Sequence, residues 1–151
     1  MMNKNIQDVT LEKILGSDDQ INILFQLLKK REHNISNLSA PTFNEHTQFV
    51  KNHPYRAWYL IKVNAFYVGS VYIMKSNCIG VSLQKCVSIF PKVIKIINQK
   101  HKPLKEIKSV RPAHFYVNIS PNNKKIKFQL TKIGAIKIQS TYSLAFMKLE
   151  I

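Results

Sequence analysis

Three strand-like runs follow one another between residues 56 and 84, RAWYLIKV, AFYVGSVYIM and CIGVSLQ, with only short polar connectors between them. Runs rich in Val, Ile, Tyr, Phe and Trp favour extended backbone, and connectors this short return the chain antiparallel to itself. The three therefore predict a meander at the centre of a sheet. Pro91 then stands at what reads as the first helical position of PKVIKIINQK, where its missing N–H removes nothing the helix needs. HFYVNIS supplies a further strand. A strand reached through a helix can lie parallel to its predecessor, so residues 83 to 119 predict a strand-helix-strand unit within an otherwise antiparallel sheet. Such a pair opens a cleft at its C-terminal edge, where the bridging helix offers N–H groups to an anion.

The flanks fit this frame. A first strand is predicted near residues 6–14, after which Ser17 and Gln20 stand at capping-box spacing and open a helix over residues 18–30. Ile21, Leu24, Phe25, Leu27 and Leu28 recur at helical spacing, with Lys29, Lys30 and Arg31 at the end where the helix dipole suits cations. Residues 31–42 read as a loop. Thr42 and Glu45 make a second capping box, starting a helix that His53-Pro54 ends, because proline disfavours helical backbone in the residue before it. Ser120-Pro121 reads as the N-cap and first turn of a later helix that Gly134 closes, and a last strand is predicted over residues 136–149.

At 151 residues, 45% of them apolar, the chain suits a single domain spanning residues 1–151. Cys78 and Cys86 have no companions at metal-ligand spacing and cannot form a dense disulfide framework, so no metal and a reducing, cytoplasmic setting are expected. No apolar run approaches the ~20 residues that span a bilayer, and no membrane association is expected. The formal charge of +15, from 23 Lys and Arg against 8 Asp and Glu, predicts a surface that attracts polyanions without choosing among them.

The phrase NISPNNKKIKFQLTKIGAIKIQSTY resembles the closing segment of the GNAT family of acyl-CoA-dependent N-acetyltransferases, commonly NxNPxNxxSxxLFxKLGFxxIQxTY. APTFNEHTQFVKNHPYRAWYLI and NCIGVSL further resemble a branch of that family with PTxxEHxxFVxxHPYRxWYxI and NEIGI. The similarity covers roughly residues 31–145. It implies a divergent GNAT-like α/β fold: a mixed, mostly antiparallel sheet flanked by helices, with a splayed parallel pair at strands 4 and 5. It also implies acetyl transfer from acetyl-CoA to a primary amine of a small molecule, such as an amino sugar or nucleotide-linked sugar, by a monomer or homodimer.

Carried over residue by residue, the resemblance assigns Val81, Ser82 and Leu83 to the pantetheine arm and the turn through Phe90, Lys92 and Val93 to the pyrophosphate. Asn118 and Asn123 flank the cofactor, and Lys85, Lys92, Lys124 and Lys127 reach phosphates by charge. Tyr142 matches the tyrosine of QxTY, as general acid for the departing thiolate or as substrate ligand; an edge-strand tyrosine is the alternative. Glu45 and His46 would hold or deprotonate the amine, although a capping-box glutamate already has a structural task. His33, Tyr55 and Arg56 would line the acceptor pocket, Arg56 being equally a strand-face partner.

Several positions depart from the family pattern. The pyrophosphate turn reads QKCVSIFPKV without glycine, Cys78 stands where the branch has glutamate, and Leu130, Ile126 and Ala135 replace an aromatic, a serine and a phenylalanine. Two other readings follow: a GNAT-like module that binds acyl-CoA or another polyanion with reduced catalysis, and a nucleic-acid binder resting on charge and neighbouring aromatics. Against the latter, the sequence has no zinc-finger spacing and no RRM-type phrase.

Overall fold

The computed structural model describes residues 7–31 and 39–149. In chain order these form β1 (Val9–Lys13), α1 (Asp18–Lys29), α2 (Phe43–Asn52), β2 (Ala57–Val63), β3 (Phe66–Ile73), β4 (Cys78–Leu83), a 3-10 turn (Val87–Ile89), α3 (Phe90–Lys100), β5 (Tyr116–Val117) and α4 (Lys124–Lys132). The five strands make one sheet in sequence order, antiparallel from β1 to β4 and parallel between β4 and β5. This is the mixed architecture that the meander and the following helix predict. Among the described residues no helix is long and apolar enough to cross a membrane.

Strand β2 shows why the sheet sits between two helical layers. Successive side chains of a strand point to opposite faces. Tyr59, Ile61 and Val63 enter a cluster with Val71, Ile73 and Ile79 and with Ile89, Val93 and Ile97 from the α3 side. Trp58 and Leu60 point the other way, into a cluster with Ile21 and Leu24 of α1 and Val50 of α2. This interior strand is thus buried on both faces, which accounts for its near-continuous apolar run.

Helix starts follow the sequence in part. Thr42 and Glu45 form the complete capping box: Thr42 Oγ1 accepts the Glu45 N–H at 3.2 Å and Glu45 Oε2 accepts the Thr42 N–H at 2.8 Å. At α1 only half the expected box forms. Ser17 accepts the Gln20 N–H, but the Gln20 carboxamide turns outward from the helix and clasps the preceding turn. Its Oε1 accepts from Leu15 and Gly16, while its Nε2 donates to the Lys13 carbonyl and to Glu12. The N-cap of α4 is Asn123, whose Oδ1 accepts the Ile126 N–H, rather than the expected Ser120. Only Tyr116 and Val117 of HFYVNIS pair as a strand.

The predicted last strand is absent. Gly134, at φ +79°, closes α4 as expected. Beyond it residues 135–149 join no sheet, and every residue from 131 to 149 is exposed. An alternating pattern states which residues suit a strand, and a strand also requires an edge to pair with.

Asn77 ties the parallel pair together. It occupies the turn between β3 and β4 at φ 70° and is fully buried. Its Nδ2 donates to the carbonyls of Leu104 and Pro112 at 2.9 and 2.8 Å, and its Oδ1 accepts the Leu104 N–H at 2.8 Å. Its own carbonyl accepts the Tyr116 N–H. The β3–β4 turn is thereby fastened to the chain that returns from α3 and delivers β5. Replacing Asn77 by Ala leaves three part-buried backbone groups without their partner and puts a Cβ residue at a left-handed position, a loss on the order of 3 kcal/mol. Asn77→Gly relieves the dihedral and leaves only the missing bonds. Urea unfolding should therefore rank wild type above Asn77→Gly above Asn77→Ala, and a Gly variant as stable as wild type would remove the hydrogen bonds from the account.

Candidate functional site

Strands β4 and β5 pair at only two positions, Cys78 with Tyr116 and Ile79 with Val117. Past Ile79 they part, although β4 stays paired to β3 on its other side through Val81, Ser82 and Leu83. The side of β4 facing the split therefore carries backbone groups with no partner strand. A groove of about 400 Å³ opens there. Gly80 to Gln84 form its floor, Asn118 to Ser120 one wall, and the ends of α1 and α2 the other.

One end of the groove is aromatic. Tyr72 and Tyr55 stack with ring centroids 4.1 Å apart and planes 4° from parallel, and Trp58 meets Tyr55 edge-on. The stack exists because of a glycine on the next strand. Tyr72 lies directly opposite Gly80, and a Cβ at Gly80 would collide with the Tyr72 ring. Burial and the neighbouring Tyr72 push the Tyr55 hydroxyl up to about 12, with nearby Arg31 opposing them. Burial also raises Tyr72. Both phenols are neutral near pH 7 and serve as hydrogen-bonding, stacking surfaces. Trp58 lines the same end, and its buried indole N–H has no acceptor among the described residues. Arg31 and Glu45 stand at the rim.

The other end is basic. Lys125 of α4 lines the groove, and Lys124 stands beside it over a shallow depression shared with Val87 and Phe128. The first turn of α4 contains lysines and no acid, which opposes the positive end of the helix dipole. An anion bound there would relieve that conflict. Among the described residues the one ion pair is Lys62 with Glu12, at 3.9 Å, so most of the excess positive charge is free to act on solutes.

The sequence-derived residues divide by position. Val81, Ser82, Leu83, Asn118, Asn123, Tyr55, Glu45 and His46 line the groove. Asn118 donates to Cys78 Sγ at 3.6 Å, and burial pushes that thiol up against the effect of the bond. Phe90 and Val93 are fully buried on the α3 side, holding the helix to the sheet. Lys92 donates to the Gln7 carbonyl, and Arg56 donates to the Lys102 carbonyl across the start of the α3–β5 connection. Lys85 and Lys127 lie outside the groove lining, and so does Tyr142, which is 83% exposed on the C-terminal segment. His33 lies outside the described residues.

Residues missed from the sequence include Arg31, read as a cation suiting the end of α1, and Tyr72 with Gly80, whose pairing across two strands has no local signal. In the turn without glycine, Cys86 takes φ 57° and makes the left-handed bend itself.

No family model matches the chain, and neither does any curated protein. Solved structures do match in fold. A possible acetyltransferase from Clostridium difficile 630 superposes over 94% of this chain and 99% of its own with a TM-score of 0.55 at 11% identity. An aminoglycoside acetyltransferase from an uncultured soil metagenomic sample, in complex with trehalose, aligns over 93% of this chain and 97% of its own, with a TM-score of 0.52 at 10% identity. The same enzyme in complex with sisomicin gives 0.50. The chain has the fold of these acetyltransferases, as its GNAT-like phrases imply.

His46 joins the two helices that wall the groove: its Nε2–H donates to the Ile21 carbonyl at 3.1 Å, and its ring packs on Phe25. Burial pushes its imidazole below the usual histidine range, outweighing the bond to Ile21. The folded state therefore binds a proton less readily than the unfolded chain, so this contribution is present above the unfolded value and lost as pH falls through the folded one. Thermal midpoints should decline from pH 7 towards pH 5, and less steeply in His46→Gln. An unchanged slope in that variant would assign the decline to His53 and His101, which burial also lowers.

Proposed function

We propose that the protein is an N-acetyltransferase that moves an acetyl group from acetyl-CoA to a primary amine of a small molecule. The observation that carries this reading is the split between β4 and β5, with a cationic helix end at one mouth and an aromatic, mixed-charge pocket at the other. Acetyl-CoA has a matching polarity: phosphates at one end and a reactive thioester at the other. Lys124 and Lys125, with Lys127 behind them, would hold the phosphates, while the unpaired edge from Gly80 to Leu83 would hydrogen-bond the amide-bearing arm. The acetyltransferases of similar fold support transfer of an acetyl group. Two free thiols, Cys78 and Cys86, suit a reducing cytoplasm.

In direct transfer the amine nitrogen attacks the thioester carbonyl carbon, the C–N bond forms, and the C–S bond breaks with release of CoA. The amine must be neutral to attack. Glu45 is the carboxylate at the groove rim; one of its oxygens caps α2 and the other is free among the described residues to receive the proton. Backbone N–H groups on the open side of β4 would stabilise negative charge on the carbonyl oxygen. Arg31 beside the Tyr55–Tyr72 stack favours an acceptor with an anionic group next to a ring, consistent with an amino sugar carried on a nucleotide.

Two substitutions test the two ends. Replacing Lys124 and Lys125 together by Glu should weaken acetyl-CoA binding in calorimetric titration by roughly 10-fold or more, while raising thermal stability because acids suit a helix N-terminus. Unchanged binding would remove these lysines from the phosphate site, and wild-type binding that disappears at moderate salt would favour a module attracting polyanions by charge alone. Glu45→Gln keeps a capping acceptor and removes the charge. It should reduce kcat/KM in an amine screen by on the order of 100-fold with acetyl-CoA affinity intact. Full turnover would dismiss Glu45 as the base.

A further inference from the structure

We propose that the connection between α3 and β5 is a membrane-surface contact, a braced hairpin that sets Ile107 and Val110 into the headgroup boundary of an anionic bilayer. The connection is fastened along its length. Arg56 and Asn77 hold its carbonyls at Lys102, Leu104 and Pro112, and Ile107 and Arg111 exchange both backbone bonds, at 2.9 and 2.8 Å. Arg111 closes the base: its Nε donates to the Lys105 carbonyl at 2.8 Å and its Nη1 to that of Lys75 at 3.1 Å, tying the hairpin to the β3–β4 turn. Ser109 takes the left-handed bend at φ 65°. On this braced turn Ile107 is 47% and Val110 74% exposed. Two aliphatic side chains are thus held out at a tip whose backbone is already ordered, so burying them costs little further freedom.

Charge surrounds them. Lys102, Lys105 and Lys108 are exposed on the same connection, and Lys75 on the turn bonded to it. Glu106 is the one acid between Glu45 and Glu150, and among the described residues none of these lysines pairs with a carboxylate. A surface of anionic headgroups supplies the missing countercharge, and a lysine there keeps its ammonium in the headgroup layer while its stem covers apolar ground. An aliphatic tip between lysines fits that boundary better than it fits nucleic acid, since Ile107 and Val110 offer no ring for a base to stack on. The contact needs no spanning segment, and the lack of such a segment is all that the sequence expectation of no membrane association rests on. It also leaves the groove open, because β4 carries the chain roughly 17 Å from this turn to Leu83. The inference stands independently of acetyl transfer.

The full chain should co-sediment with phosphatidylglycerol vesicles at physiological salt and not with phosphatidylcholine vesicles. Ile107→Ser/Val110→Ser should weaken that binding roughly 10-fold or more with an unchanged thermal midpoint. Lys105→Ala/Lys108→Ala should weaken it by roughly 10-fold or more as well, and Lys13→Ala/Lys51→Ala, which removes the same charge elsewhere, by less than about 3-fold. Wild type that leaves the anionic vesicles at physiological salt overturns the proposal. So does a serine variant that binds them as wild type does, or equal loss from the two lysine pairs, since bare charge has no preferred face. An RNA oligonucleotide that displaces the vesicles and binds the serine variant undiminished assigns the patch to nucleic acid instead.

Discussion

Asn77 holds the groove-bearing half of the sheet in place. A buried carboxamide with all its hydrogen-bonding groups engaged has one favourable position, and here its partners come from the turn after α3 and from the stretch just before β5. That anchoring sets the start of β5 beside the start of β4 and holds nothing beyond it. Two paired residues, followed by divergence, are the consequence. The split therefore arises from strong fixation at one point and no ladder past it, and the groove inherits its location from a residue that does not line it.

The walls of the groove depend on a second cross-strand relation. A glycine on β4 admits the Tyr72 ring, Tyr72 supports Tyr55, and Tyr55 stands against Trp58 of β2. Around this neutral, rigid surface the charges are few and separated: Arg31 and Glu45 at one mouth, the lysines of α4 at the other. Such separation suits a ligand that is polar at both ends and thin in the middle.

Much of this was legible in the sequence, and the parts that were not share a reason. Runs such as RAWYLIKV announce strands because a doubly buried strand needs apolar residues on both faces, and Thr42 with Glu45 announces a helix start because both bonds close within four residues. Gln20 has the same spacing after Ser17 but clasps Lys13 and Leu15, since the turn before α1 offers it more partners than the cap does. Ser120 and Asn123 are both acceptable caps, and only the path out of β5 decides between them. Arg31, Tyr72 and Gly80 come together from three elements, so no local pattern marks them. Residues 136–149 do read as a strand, yet preference for extended backbone does not supply an edge to pair with.

The sheet also works as an insulating wall. Its α3 face is packed mostly with aliphatic side chains, of which only Val81 and Leu83 reach the groove, whereas Trp58 and Tyr72 face the opposite layer. A lineage could therefore exchange most residues on the groove side, and with them the ligands the groove admits, with little disturbance to the half of the interior that keeps the strands aligned. Sequence identity can then fall to the 11% found against a solved structure of the same fold while the backbone path persists.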